Sequence, residues 1–330
     1  MKKILAVSLA LMLLLAPLGG CAKNEKTETL RLCEVTHSVF YAPLYAALEL
    51  GCFEEEGLTI ELTNGGGADK VMTAVLASQA DIGLAGPEAA IYVHTEGRED
   101  APRLFAQLTQ RDGSFLVGRE EEDFHWETLR GRTILGGRKG GVPEMTLEYV
   151  MRKNGVEPNV DAVVDTSVQF NLMAGAFTGG TGDYVMLFEP TATEVENEGA
   201  GHILLSLGEE SGEIAYTAFF AAESLLRERG DAIAAFTRAV AKGQHYVLTH
   251  SPAEIAALIA PQFPDSDLAL LERVTERHLE IGAWNPTPVV SETAIENLQT
   301  VMDGAGELTR RIPFDTLVDN SFAQAAALDG

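Results

Sequence analysis

Residues 30–62 read LRLCEVTHSVFYAPLYAALELGCFEEEGLTIEL, and this stretch decides the fold class. Leu30 to Val35 reads as a first strand. Pro43 to Leu50 supplies a helix with proline in its first turn and Gly51 as its stop. Leu58 to Leu62 is a second strand, with polar Thr59 and Glu61 alternating against apolar neighbours. Strand, helix and strand in this order are the α/β unit.

The unit repeats along the chain. Further strands are predicted at Asp81–Ala85, Leu104–Leu108, Ser114–Val117, Thr133–Leu135, Ala162–Val164, Asp183–Phe188, Ile203–Ser206 and Tyr216–Ala221. Helices are predicted from Gly65-Gly66-Gly67 to about Ser78, from Glu88 towards Glu96, and over Pro143–Asn154. After Glu223 the pattern turns helical, over about 224–229, 231–249, 252–260, 266–280 and 291–304, punctuated by prolines. Periodicity alone therefore gives two α/β units and a helical tail.

The amino terminus has its own logic. Lys2 and Lys3 precede an apolar run from Ile4 to Leu15 broken only by Ser8, and Ala16-Pro17-Leu18-Gly19-Gly20 leads to Cys21. This is the layout of a secretory signal peptide over residues 1–20, too short for a membrane span. Leu18-Gly19-Gly20-Cys21 resembles the bacterial lipobox, which implies cleavage before Cys21, its acylation, and a lipid anchor to the membrane. Residues 21–29 then form a polar tether. A secreted protein with an ordinary early cysteine is the other reading.

The formal net charge of −25 argues against nucleic acid and against adhesion to anionic lipid. No metal-ligand spacing occurs, no cofactor is expected, and Cys33 and Cys52 read as buried small hydrophobes rather than a disulfide scaffold. Gly-x-Ser-x-Gly and His-Glu-x-x-His are absent from the sequence, and the 7 histidines are scattered, so no nucleophile, base and orienter assemble into a catalytic set.

From about Leu30 to Asn320 the chain resembles the nitrate/sulfonate/taurine and thiamine-pyrimidine group of ABC-importer binding proteins. The resemblance rests on Tyr41-Ala42-Pro43-Leu44-Tyr45-Ala46-Ala47-Leu48-Glu49-Leu50-Gly51-Cys52-Phe53-Glu54-Glu55-Glu56-Gly57-Leu58. Ala80-Asp81-Ile82-Gly83, Leu129-Arg130-Gly131-Arg132-Thr133 and Phe188-Glu189-Pro190 add to it. It implies a two-lobed periplasmic-binding-protein (type II) fold, each lobe a mixed sheet flanked by helices, with ligand in the interlobe cleft. One lobe would comprise residues 30–110 plus 218–330, the other 111–217, with crossings near 104–110 and 214–220. The implied partners are a small-molecule ligand and an ABC permease with its ATPase, the protein itself being monomeric. Glu34 and Val35 stand where pyrimidine-binding members carry an Asp-Trp pair, and Tyr41 where they carry a histidine. An enzyme of the pyrimidine-synthesis branch is the rival reading, but its cysteine-rich iron motif is missing here. A ligand sensor is the third.

In open α/β sheets, ligands lie beyond the carboxyl ends of the strands. That rule selects Glu34, His37, Ser38, Phe40 and Tyr41 after the first strand, whose rings and polar groups would orient a planar ligand. It selects Gly66 and Gly67, then Gly140, Gly141 and Glu144, as helix starts able to offer amides to an anion, with Arg138 and Lys139 beside the second pair. Gly86 and Glu88 follow the third strand, Glu189 ends an apolar strand, and Tyr216 sits near a crossing. The carboxylates Glu34, Glu88 and Glu189 together point to a cationic or amino-bearing aromatic ligand. Each of these residues has a structural alternative: helix stapling for Phe40 and Tyr41, dipole complementing for Glu88, capping for Glu189, hinge packing for Tyr216.

Overall fold

A computed structural model describes residues 27–329; the signal-peptide and Cys21 expectations lie outside the described residues. The strands are β1 (Glu28–Glu34), β2 (Leu58–Asn64), β3 (Ile82–Ala85), β4 (Pro102–Thr109) and β5 (Ser114–Gly118), then β6 (Thr133–Leu135), β7 (Val163–Asp165), β8 (Tyr184–Phe188), β9 (His202–Ser206) and β10 (Thr217–Ala222). They form two five-stranded sheets, ordered β2-β1-β3-β10-β4 and β7-β6-β8-β5-β9. Both sheets are mixed. β1 runs parallel to β2 and β3, while β10 is antiparallel to β3 and β4. β6 runs parallel to β7 and β8, while β5 is antiparallel to β8 and β9.

Each strand falls where the apolar pattern predicts one. The helices that pattern reading misses include Met173–Thr178 and Thr191–Asn197, each too short to display a 3.6-residue period.

The chain passes between the sheets twice, from β4 to β5 and from β9 to β10. At the crossings the Thr109 and Thr217 hydroxyls meet, and the Thr217 amide donates to Thr109 Oγ1 at 3.0 Å. Asp112, fully buried, accepts the Ser114 amide at 2.7 Å and the Ser114 hydroxyl at 2.6 Å. Burial pushes its carboxyl up to about 6 against those bonds.

The helical tail returns to the first sheet. Helix Gly230–Thr249 packs on helix Ala42–Glu49, Gln244 Nε2 donates to the Gln107 carbonyl at 2.9 Å, and Trp284 Nε1 donates to the Phe40 carbonyl at 3.0 Å. These two helices approach closely at Gly243, where a Cβ would stand 2.1 Å from the Pro43 carbonyl oxygen. Backbone cannot yield as a side-chain end can, so Gly243→Ala should cost about 2 kcal/mol by overpacking. Chemical denaturation measures it, and an unchanged midpoint would mean that the helices separate freely. Among the described residues no helix is long and apolar enough to cross a membrane.

Candidate functional site

The carboxyl ends of the parallel strands in the two sheets face each other across a cavity of about 390 Å³. The first sheet contributes Val35 and Thr36 after β1, Asn64 to Lys70 except Gly65 after β2, and Gly86 and Glu88 after β3. The second contributes Gly137, Arg138 and Gly141 to Pro143 after β6, Thr166 and Val168 to Asn171 after β7, and Met186 and Phe188 from β8. Tyr41, Tyr216 and Thr217 complete the wall. A second depression, along Glu292–Thr300 and Arg311–Asp315, lies away from both strand ends.

Of the residues selected from sequence, the structure brings Tyr41, Gly66, Gly67, Gly86, Glu88, Gly141 and Tyr216 together around this cavity. Glu34, His37, Ser38, Phe40, Gly140, Glu144 and Glu189 stand outside it, for visible reasons. Glu34 is 1% exposed and accepts the Tyr45 hydroxyl at 2.7 Å and His37 Nδ1 at 2.8 Å. His37 also points Nε2 at the Gln262 carbonyl, 2.9 Å away. The bond to Glu34, with that carbonyl in support, raises the imidazole above its usual range against partial burial. Ser38 caps the following turn through the Phe40 amide at 3.2 Å and donates to the Glu189 carbonyl at 2.9 Å. Phe40 is a core ring: a Cβ on Gly113 would stand 2.4 Å from it.

Gly140 and Glu144 satisfy each other, amide to carboxylate, at 3.0 Å. Burial first, then neighbouring Glu148, pushes Glu144 up to about 7. Glu189, also 1% exposed, accepts the Thr193 amide at 3.0 Å and hydroxyl at 2.8 Å and pairs with Arg277. That carboxylate is fully occupied, so the expectation that it faces a ligand gives way to a structural role.

The glycine loops are less open to an anion than their sequence suggests. The Gly65, Gly66 and Gly67 amides already donate to the Glu34 carbonyl, Asn64 Oδ1 and the Val35 carbonyl at 2.8, 2.9 and 3.1 Å, and Gly141 donates to the Arg138 carbonyl at 3.1 Å. Arg138 Nε lies 3.8 Å from Asp69 Oδ1.

Glu88 differs from the other carboxylates. It lines the cavity at 2% exposure, and among the described residues its Oε2 has no hydrogen-bond partner. Burial drives its pKa up to about 7, although Arg138 and the amides of Glu88, Ala89 and Val142 pull it back. A Cβ at position 86 would meet Glu88 Oε2 at 2.0 Å, so a larger residue there would displace the Glu88 carboxyl from its place.

Sequence reading selected Tyr41 and Tyr216 but missed the phenylalanines of the aromatic wall. Phe170 and Phe188 lie with centroids 5.6 Å apart, and Phe188 and Tyr216 at 6.3 Å. The signal was present in β8: side chains alternate along a strand, so Met186 and Phe188 share the cavity face. The residues from Thr166 to Asn171 offered no period to read.

The family described as NMT1/THI5 like matches residues 39–255. YtlA of Bacillus subtilis (strain 168) is 44% identical over 312 residues, covering 94% of this chain and 93% of YtlA. The alkanesulfonate-binding protein SsuA from Xanthomonas axonopodis pv. citri, solved with MOPS, superposes with a TM-score of 0.72 at 16% identity, covering 89% of this chain and 98% of SsuA. The ligand-binding component of an ABC-type import system from Staphylococcus aureus superposes with a TM-score of 0.75 at 14% identity, covering 91% and 99%. At such identities the likeness establishes architecture: two mixed five-stranded sheets flanked by helices, as in periplasmic binding proteins. With that architecture, a family match over most of its length and a relative alike nearly end to end, this chain belongs to the NMT1/THI5-like family.

Proposed function

We propose that the protein is the extracytoplasmic solute-binding component of an ABC importer. In this reading it is a monomer tethered through lipid on Cys21, and it releases its ligand unchanged to a permease. The likeness to an import-system component supports the role. The lobes are residues 30–110 plus 218–330 and residues 111–217. The favoured ligand is a thiamine-pyrimidine-like or other amino-bearing heterocycle. One observation carries that choice: Glu88 turns a buried carboxyl, whose Oε2 has no hydrogen-bond partner among the described residues, to a cavity walled by Tyr41, Phe188 and Tyr216. A planar ring stacks on such walls, and its amino group supplies the missing donor.

The second reading, a sulfonate or nitrate, rests on Arg138 and Lys70 in the same lining. It is the weaker one, because the neighbouring glycine amides already have hydrogen-bond acceptors within the protein.

Thermal unfolding of the full-length protein against aminopyrimidines, alkanesulfonates and nitrate separates the two. The aminopyrimidine present at about 100 times its dissociation constant should add roughly 2.7 kcal/mol of apparent stability. Stabilisation by sulfonates alone would transfer the assignment to the second reading. Chemical turnover of any stabilising compound would replace transport by an enzymatic role.

A further inference from the structure

The loop Gly136-Gly137-Arg138-Lys139-Gly140-Gly141 joins β6 to helix Val142–Lys153, and Gly137, Arg138 and Gly141 form part of the cavity wall. Four glycines in six residues give such a segment little stiffness of its own, so external contacts set its position. Two of these come from residues that do not line the cavity. The Tyr92 hydroxyl, on helix Glu88–Thr95, donates to the Gly140 carbonyl at 2.8 Å. Glu307, just beyond helix Glu292–Gly304, pairs with Lys139 Nζ at 3.1 Å. The fit is close. Gly140 has φ +72°, and a Cβ there would stand 3.3 Å from the Tyr92 hydroxyl and 3.2 Å from Glu307 Oε2.

Tyr92 follows the carboxyl end of β3 in the first sheet, and the loop follows β6 in the second. These contacts therefore span the cleft mouth. Arg138 and Asp69 approach each other at the same place. A hydroxyl–carbonyl bond and a partly exposed ion pair are each modest alone, but both act on one flexible wall segment.

We propose that Tyr92 and Glu307 are positioning residues for solute retention, clasping the Arg138–Gly141 loop from outside the cavity and so holding the cleft shut over its ligand. This inference rests on the solute-binding reading. Amide hydrogen exchange and ligand kinetics on the full-length protein test it in wild type, Tyr92→Phe, Glu307→Gln and the double variant. Loss of both contacts should speed exchange at Gly137, Gly140 and Gly141 about tenfold, while β1 and β8 keep their protection. Dissociation of the hydroxymethyl aminopyrimidine of thiamine, used as probe, should quicken by a similar factor of about ten, with association within about twofold.

Unchanged loop exchange overturns the clasp. Faster loop exchange with an unchanged dissociation rate overturns its role in retention. If β1 or β8 also loses protection in the double variant, the single Glu307→Gln variant, altered at a partly exposed ion pair, decides by the same criteria. A probe that fails to bind wild type counts against the proposed solute class. The exchange measurement still judges the clasp.

Discussion

Arg277→Met should destabilise the protein by about 3 kcal/mol, a large loss for one side chain. Glu189 is 1% exposed, and its carboxylate lies against Arg277, with the Thr193 amide and hydroxyl completing its bonds. Arg277 also donates to Thr193 Oγ1 at 2.9 Å and lies 5.4 Å from the Phe115 ring centroid. Methionine preserves most of the aliphatic packing but removes the cation, leaving a buried charge with neutral partners only. The pairing joins β8 and its following turn to helix Leu268–Glu280, so it ties the second sheet to the helical tail. Glu189→Gln should cost less, because the amide oxygen can still accept one of the two bonds that Thr193 donates. Adding Glu189→Gln to Arg277→Met should recover much of the loss, since no unpaired charge then remains. Denaturation midpoints of the three variants measure this. If the single Arg277→Met variant matched wild type, the ion pair would contribute nothing net. If instead Glu189→Gln left stability intact and abolished solute binding, Glu189 would return to the site.

Glu189 shows where sequence reading stops. Its position at the end of an apolar strand is legible, and strand ends in such sheets do build clefts. Alternation places Phe188 on the cavity side, however, and the partner that occupies Glu189 lies 88 residues further along. Glu34 fails for a nearer version of the same reason: Tyr45, one helix later, takes its carboxylate. Short-range signals locate strands, helix starts and the loops between them. They do not reveal which polar group a distant helix has already satisfied. Gly86 and Glu88 could be placed at the cavity from sequence because the motif is local, a tight turn followed at once by a helix start. The Gly66 and Gly67 loop was legible as a place but not as chemistry, since its amides are spent on Asn64 and Val35. The wall from Thr166 to Asn171 is irregular backbone, so no periodic signal marks it, and only the fold brings it opposite β2.

Glu88→Gln should weaken binding of an aminopyrimidine about 100-fold at pH 8, while a sulfonate changes by no more than about threefold. The wild-type carboxylate accepts a charge-assisted bond in a nearly dry site, and glutamine offers only a neutral acceptor. The same substitution has a second, ligand-free signature. In the unfolded chain Glu88 ionises near 4.5, whereas burial in the folded protein keeps its proton on to about 7. Between those values the folded state holds more protons than the unfolded one, so stability falls as pH rises and levels off above about 7. Asp112 and Glu144, pushed up to about 6 and about 7, act in the same direction. Fully buried His278, held down to about 3 by burial, acts the other way between about 3 and its usual 6.5. Three carboxyls outweigh one imidazole, so wild type should still be more stable at pH 5 than at pH 8. Glu88→Gln should remove one share of that slope, on the order of 2 kcal/mol, and make the unliganded protein more stable than wild type at pH 8. A catalytic or binding group that lowers stability while it waits for its ligand is a familiar compromise. Here the ligand's amino group would relieve it by supplying the donor that Oε2 lacks. Equal pH profiles for wild type and Glu88→Gln would show that the carboxyl is hydrated rather than dry, and the selection of an amino-bearing solute would lose its physical basis.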